Sequence, residues 1–336
     1  MIIFAGMAIF PTQNSTLSAT ALKAHLAQVY NLPIETCKLL VRNVSDTYVL
    51  EGAANKFIFK IYRNNHRKHE EICAEVELLN ELCAKGAKVA YPLCALDGSQ
   101  VQSFNAAEGK RYGVLFTYAM GEVVHELNTE QLKTLGREMA AIHNITANLA
   151  LQNPRRAYNN NTMLFEPIKL FKQAFQSLED EYNYLKKTSE KIAQKIDQLD
   201  LGQFSYGYCH YDFLPKNFHF NGNEVTFFDF DFAGKGYLIN DIASFYIHYF
   251  LEVYYGKITQ EEADKAFTVF VNGYREVRPL SDQELAAIPY FGFAFWIFYM
   301  GFHYENFDDW SNIFFGPKFL KDRTALIKKW VDWYIK

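Results

Sequence analysis

Residues 206–236 read YGYCHYDFLPKNFHFNGNEVTFFDFDFAGKG, and this stretch governs how the rest of the chain is read. It opens on His210-Tyr211-Asp212 and sets Asn217 five residues after the aspartate. Asn221-Gly222-Asn223 is a hairpin turn signal, and the apolar run 225–228 behind it delivers Asp229 and Asp231. A loop followed by a hairpin brings positions 212, 217 and 229 to one edge.

Those residue types suit one chemistry. Phosphoryl transfer from ATP needs a carboxylate to orient and deprotonate the attacking hydroxyl, and two oxygen ligands for Mg²⁺ on the phosphates. Asp212, Asn217 and Asp229 are of the right kind and stand in the order of a kinase catalytic loop and its metal-binding aspartate.

Outward from the insert, the chain divides by pattern. Upstream, 18–30 has helical spacing behind Ser18 as N-cap. Strand-like runs follow at 37–44, 47–51 and 55–62, the last two joined by Gly52-Ala53-Ala54. Ile72, Val76, Leu79 and Leu82 give 69–84 a helical stripe with Gly86 as its stop. Two more strands are predicted near 93–96 and 112–118. Beyond Gly121 the spacing turns helical, at 129–143, 167–199, 240–255, 259–275 and on to the end, interrupted only by the insert. The expected fold is α+β: an N-terminal extension at 1–17, a small β-rich lobe at 18–118 and a large, mostly helical lobe at 119–336.

Composition fits that division. A chain of 336 residues exceeds what one compact core usually holds. Lys plus Arg number 34 against 38 Asp plus Glu, spread along the chain, which argues against a nucleic-acid binder. Five cysteines without CxxC spacing suit a reducing cytoplasm, as small buried thiols. The apolar decamer 1–10 lacks a basic flank, and Met7 is an alternative start; neither it nor the apolar run 290–302 reads as a membrane span. Aromatic residues make up 17% of the chain, a load able to fill a core, line a pocket, or both.

The insert resembles the aminoglycoside phosphotransferase and choline kinase superfamily, whose hallmark is His-x-Asp-x-x-x-x-Asn followed by an apolar strand ending in Asp-Phe/Trp-Asp/Glu-x-Ala-Gly. Here that is His210-Tyr211-Asp212, Asn217 and the run Asp229-Phe230-Asp231-Phe232-Ala233-Gly234. The resemblance implies a bilobal, protein-kinase-like fold, ATP and Mg²⁺, Asp212 as catalytic base, and Asn217 and Asp229 as metal ligands. It makes Lys60 the phosphate-holding lysine and Glu75 its partner, with Glu71 and Glu77 as rivals. It places the hinge at 115–121, with Phe116 as gatekeeper and adenine bonded by the Thr117 carbonyl and the Ala119 N–H. The 135–143 run looks like the family's leucine-glycine helix, His210 like a packing residue beneath Asp229, and Asp241 like the brace of the catalytic loop. Asp231 is a second metal ligand or a loop brace.

The chain also departs from kinase patterns. No glycine-rich loop precedes Lys60, so Ser45 is the phosphate-meeting candidate, beside an Asp46 that must point away. Leu214 stands where protein kinases carry a lysine, and no Ala-Pro-Glu segment exists. Lys216 reads as solvated or as facing the γ-phosphate. Trp296, Tyr299, Tyr304, Trp310 and Phe314, interleaved with Glu305, Asp308 and Asp309, suit either a helical core or a pocket for an amine through cation–π attraction. The expected activity is transfer to a hydroxyl of a small metabolite: an amino alcohol, homoserine or an aminoglycoside-like acceptor. Two alternatives stand beside it. One is a protein Ser/Thr kinase like the bacterial stress-response kinases, suggested by Phe314-Phe315-Gly316-Pro317. The other is a nucleotide-binding pseudokinase.

Overall fold

The fold is taken from a computed structural model that describes residues 11–306 and 315–335. The apolar decamer with Met7, and Asp308, Asp309, Trp310 and Phe314, lie outside the described residues. The chain forms two compact units. They do not follow a single cut: residues through Val76 group with Ala90–Tyr118, and Glu77–Val89 groups with the chain from Ala119 onward. Hydrogen bonds explain the excursion. The Phe227 N–H donates to the Lys88 carbonyl, and the Gln152 N–H donates to the Glu77 carboxylate.

In the first unit, α1 (Ala19–Tyr30) starts at Ser18, whose hydroxyl accepts from the Ala21 N–H, and stops at Asn31 in the left-handed region. Strands β1 (Thr36–Arg42), β2 (Ser45–Glu51), β3 (Lys56–Tyr62), β4 (Val101–Ala106) and β5 (Gly109–Thr117) form one antiparallel sheet in the order β1-β2-β3-β5-β4. Alternation sends Tyr48, Leu50, Phe59, Ile61 and Leu115 into a core with Leu22, Leu26 and Tyr30 of α1. Lys60, between Phe59 and Ile61, therefore faces the other side of β3, as helix α2 (His69–Ala84) follows. The strand expected at 93–96 is not one. Pro92, the turn at Asp97 (whose carboxylate accepts from the Ser99 N–H) and Gly98 at φ +84° break it up. The partner of β5 is β4 instead.

The second unit is helical: α3 (Thr129–Thr146), a short α4 (Glu166–Leu170), α5 (Glu179–Asp197), α6 (Ile239–Tyr254), α7 (Gln260–Arg275), α8 (Asp282–Asn306) and α9 (Pro317–Tyr334). A single helix over 167–199 is corrected: a 3₁₀ turn at Phe171–Phe175 and a non-helical Leu178 at φ −138° separate α4 from α5. Between α5 and α6 lie two ribbons, β6 (Tyr206–Cys209) paired with β9 (Gly234–Tyr237), and β7 (Phe218–Asn221) paired with β8 (Glu224–Phe227). Helices α3 and α7 cross where a Cβ on Gly136 would run into the Phe270 carbonyl, and one on Gly273 into the Lys133 carbonyl.

Helix α8 is the only described helix long and apolar enough to cross a membrane, but 72% of its most apolar window is buried inside the protein. Its Pro289 carbonyl accepts from the Trp330 indole N–H of α9 at 2.9 Å. Of the five free cysteines only Cys209 is buried; Cys94 is exposed, so the expectation of buried thiols holds for one residue alone.

Candidate active site

The loop after β6 is held from behind. Asp241, fully buried on the first turn of α6, accepts from the backbone N–H of His210 at 2.8 Å and of Tyr211 at 2.6 Å. His143 Nε2, at the end of α3, donates to the same carboxylate at 3.0 Å and meets the Tyr274 hydroxyl through Nδ1 at 2.8 Å. Three donors offset the desolvation of a buried carboxylate. They also hold Tyr211 at φ +70°, a left-handed conformation that costs a bulky residue about 1–3 kcal/mol. Tyr211 is further clamped by stacking on Tyr158, ring centroids 3.7 Å apart.

This strained turn presents Asp212. Its Oδ2 accepts from Asn217 Nδ2 at 2.9 Å and pairs with the Lys216 ammonium at 2.8 Å, while its Oδ1 is buried with no hydrogen-bond partner. Asn217 Nδ2 also donates to the Asp212 carbonyl at 2.8 Å, which leaves the amide oxygen as the atom able to ligate. The Phe228 N–H donates to the Asn217 carbonyl at 3.0 Å, so β8 delivers Asp229 next to Asn217. Asp229 is exposed and sits at φ +60°. Left-handed geometry at a non-glycine residue occurs at three described positions; Asn31 caps a helix, and the other two are Tyr211 and Asp229. His210 Nε2 donates to the Phe228 carbonyl at 3.0 Å, and its ring lies 4.4 Å from that of Phe230. The histidine thus packs beneath Asp229. Asp231 is buried, and its carbonyl accepts from Arg155.

The donor set suits magnesium on a nucleotide. No group of three or more His, Cys, Asp or Glu side chains among the described residues could form a protein cage. One amide oxygen and one exposed carboxylate match the habit of Mg²⁺, which keeps waters and takes the rest of its shell from phosphates.

In the first unit, Lys60 Nζ lies 3.9 Å from Glu75 Oε1, both residues buried. The rivals are committed elsewhere: Glu71 to Arg67 at 3.7 Å and Glu77 to the Gln152 N–H. Ser45 is buried at the start of β2. Asp46 beside it is turned into the sheet by the Arg111 guanidinium at 2.8 Å. Arg111 is fully buried and also donates to the Tyr62 and Ser15 carbonyls. Phe116 is buried near the end of β5, where the Thr117 N–H donates to the Tyr91 carbonyl at 3.0 Å. Ala119, in the second unit, gives its carbonyl to His219 Nδ1 at 2.8 Å. Two residues on, Gly121 at φ +96° passes so close to the Phe220 carbonyl that no side chain fits.

Residues 36–280, well over half of the chain, match the phosphotransferase enzyme family. The chain belongs to that family. The homoserine kinase of Paramagnetospirillum magneticum is 26% identical over 76% of this chain and 76% of its own. A microcompartment-associated aminopropanol kinase superposes with a TM-score of 0.75 at 19% identity, over 93% of this chain and 98% of that one. The amicoumacin kinase hAmiN, solved with AMP-PNP, Ca²⁺ and Ami, gives 0.72 at 22% identity, over 92% and 94%. The mixed fold is that of these kinases.

Beyond the motif, this phosphotransferase carries supports that no spacing pattern announced. Arg155 donates to the Phe230, Asp231 and Ala233 carbonyls, clamping the segment after Asp229, and the Tyr158 hydroxyl donates to the Phe232 carbonyl. Lys216, read as solvated or phosphate-facing, also donates to the Tyr299 hydroxyl at 3.3 Å. Burial acts to lower its pKa, but Asp212 and Tyr299 override this and hold the ammonium above its usual range. The late aromatics divide. Trp296, Phe295 and Phe298 are buried as core, while Tyr299 lines the side facing Lys216.

Proposed function

We propose that this phosphotransferase moves the γ-phosphoryl group of ATP, with Mg²⁺, to a hydroxyl of a small molecule. The observation that carries the reading is Asp212 Oδ1, a buried carboxylate oxygen without a partner beside an Oδ2 held by Asn217 and Lys216. An orphaned buried acceptor is costly unless a ligand donor fills it. A substrate hydroxyl is such a donor. As its oxygen bonds to the γ-phosphorus, the bond from phosphorus to the bridging β,γ-oxygen breaks and ADP leaves with that electron pair. Asp212 Oδ1 accepts the hydroxyl proton. Catalysis rests mainly on positioning and charge, with proton removal a smaller contribution.

Asn217 and Asp229 would hold Mg²⁺, whose charge neutralises the phosphates when bound. Lys60, oriented by Glu75, serves the phosphates, and Ser45 lies on the same side of that duty. Phe116 lines the adenine site, with the Thr117 carbonyl and the Ala119 N–H as its hydrogen-bonding partners. In this reading residues 18–118 bind nucleotide, 119–336 carry catalysis and the acceptor, and 1–17 are an extension. The AMP-PNP and Ca²⁺ of the amicoumacin kinase structure support a nucleotide and a divalent cation. The aminopropanol and homoserine kinases support a small hydroxylated acceptor over a protein or nucleic acid. Free cysteines fit the cytoplasm.

The test is ADP formation coupled to a phosphorylated product, across a panel of small hydroxyl compounds with Mg²⁺ present or chelated. Acceptor-dependent turnover that needs the metal is expected. Nucleotide binding without turnover on any acceptor would overturn the assignment in favour of a pseudokinase.

A further inference from the structure

The loop behind Asp212 is built to return a cation to it. Leu214, two residues on, is half-buried and apolar, and its N–H donates to the Asp212 carbonyl at 2.8 Å. A 3₁₀ turn over Pro215–Asn217 follows, closed by the Asn217 N–H on the Leu214 carbonyl at 2.9 Å. The turn sends neighbouring side chains to opposite sides. Asn217 goes inward and is buried, while Lys216 stands outward with 51% of its side chain exposed. The tip of Lys216 nevertheless folds back to Asp212 Oδ2 at 2.8 Å, and among the described residues it is the cation that pairs with this carboxylate.

An ammonium has three N–H donors. One faces Asp212 Oδ2 and a second the Tyr299 hydroxyl at 3.3 Å; among the described residues no acceptor takes the third. Tyr299 sets the reach of the stem. Its ring lies 5.7 Å from Lys216 Nζ and stacks on Phe295, one turn back along α8, with centroids 5.4 Å apart. Proton removal from an acceptor uses Oδ1, on the other oxygen of the carboxylate. What transfer needs besides that base is positive charge on the equatorial oxygens of the moving phosphoryl group. The acceptor oxygen sits about 2.6–3.2 Å from Oδ1 and about 3–3.5 Å from the γ-phosphorus. A flexible four-carbon stem, half in solvent and already at Oδ2, reaches that phosphoryl group by rotation about its own bonds.

We propose that Lys216 is a second catalytic residue: with ATP and acceptor bound, its ammonium donates to an oxygen of the γ-phosphoryl group, supplying from position 216 the charge that Leu214 cannot. This inference rests on the phosphotransferase reading and adds a group to it. The bonds made and broken are unchanged, and Asp212 still takes the hydroxyl proton. Lys216 keeps its protons throughout and lends charge alone.

Calorimetric binding of Mg-ADP and Mg-AMP-PNP tests this without turnover, because the two nucleotides differ in the γ-phosphoryl group. Lys216→Met keeps the stem and loses the charge at a half-exposed position, so the fold and ADP affinity should be retained. AMP-PNP affinity should fall by about tenfold or more relative to ADP. Lys216→Arg, which keeps the charge, should restore part of it. In turnover, kcat of Lys216→Met should fall by about 10²-fold with the acceptor KM within about twofold of wild type. Loss of the AMP-PNP preference in Lys216→Met supports the phosphate contact even if no acceptor is phosphorylated, in which case the kinase reading alone falls. A ratio of AMP-PNP to ADP affinity in Lys216→Met equal to that of wild type overturns the role of Lys216, and acceptor-dependent turnover by wild type then leaves the kinase reading standing.

Discussion

Asp241 bears more of the site than any residue that would touch substrate. Its fully buried carboxylate satisfies two loop N–H groups and His143 at once. Asp241→Ala would leave three buried donors without an acceptor and release Tyr211 from its strained φ. A loss of about 3–5 kcal/mol in stability is expected, together with activity, by urea unfolding and turnover. Lys60 acts on a different quantity. Lys60→Met leaves Glu75 buried beside an apolar group, and should weaken ATP binding by about ten- to a hundredfold in a nucleotide titration. The bracing position of Asp241 and the pairing of Lys60 with Glu75 were expected from the family resemblance, and the hydrogen bonds and the ion pair place them so. Arg155, Tyr158 and Arg111 were not legible in the sequence. They act by donating to backbone carbonyls, and a bond to a carbonyl leaves no residue-type signature on the accepting side.

At the scale of elements, periodicity identified most helices and strands, and it failed where local geometry overrode it. The apolar spacing over 167–199 continues through a break in the backbone at Leu178, because the same face stays buried on both sides of it. Residues 93–96 looked like a strand for their apolar run, yet Pro92 and the Asp97-Gly98 turn deny them a ladder. The Asp46 problem had a long-range answer: its partner Arg111 is on β5, beyond the reach of any local pattern. The α3–α7 crossing gives a direct test. Gly136→Ala places a methyl against the Phe270 carbonyl in a tightly packed contact. It should cost about 1–3 kcal/mol in chemical denaturation while the helix content by circular dichroism is unchanged. Asp46, paired with Arg111 inside the sheet, also removes one argument for a pseudokinase.

For the whole molecule, burial of imidazoles sets an acid limit. His303 has its folded pKa pushed down to about 4 by burial and by Arg323 and Lys216, and His248 is lowered by burial against the opposing pull of Glu252. Unfolding exposes both to water, where they take up protons near the ordinary 6.5. Their contribution is therefore intact above that value and is lost as the pH falls from 6.5 towards about 4. Urea midpoints across this window should drop with acid, and His303→Gln should flatten the slope. A midpoint independent of pH there would contradict the burial of these rings. The aromatic load now has an address as well: most of it fills the helical unit, and Tyr299 alone among the described late aromatics reaches Lys216.

The central claim is that Asp212 performs the proton-accepting and orienting role in transfer from ATP. Asp212→Asn keeps the volume and the bond from Asn217 but removes the charge, so the fold should survive. Single-turnover transfer of the γ-phosphoryl group to the best acceptor, measured in wild type and Asp212→Asn at equal nucleotide occupancy, tests it most directly. The account predicts a fall of about 10²–10⁴-fold in the transfer rate with ATP binding retained. Transfer by Asp212→Asn at the wild-type rate would contradict it.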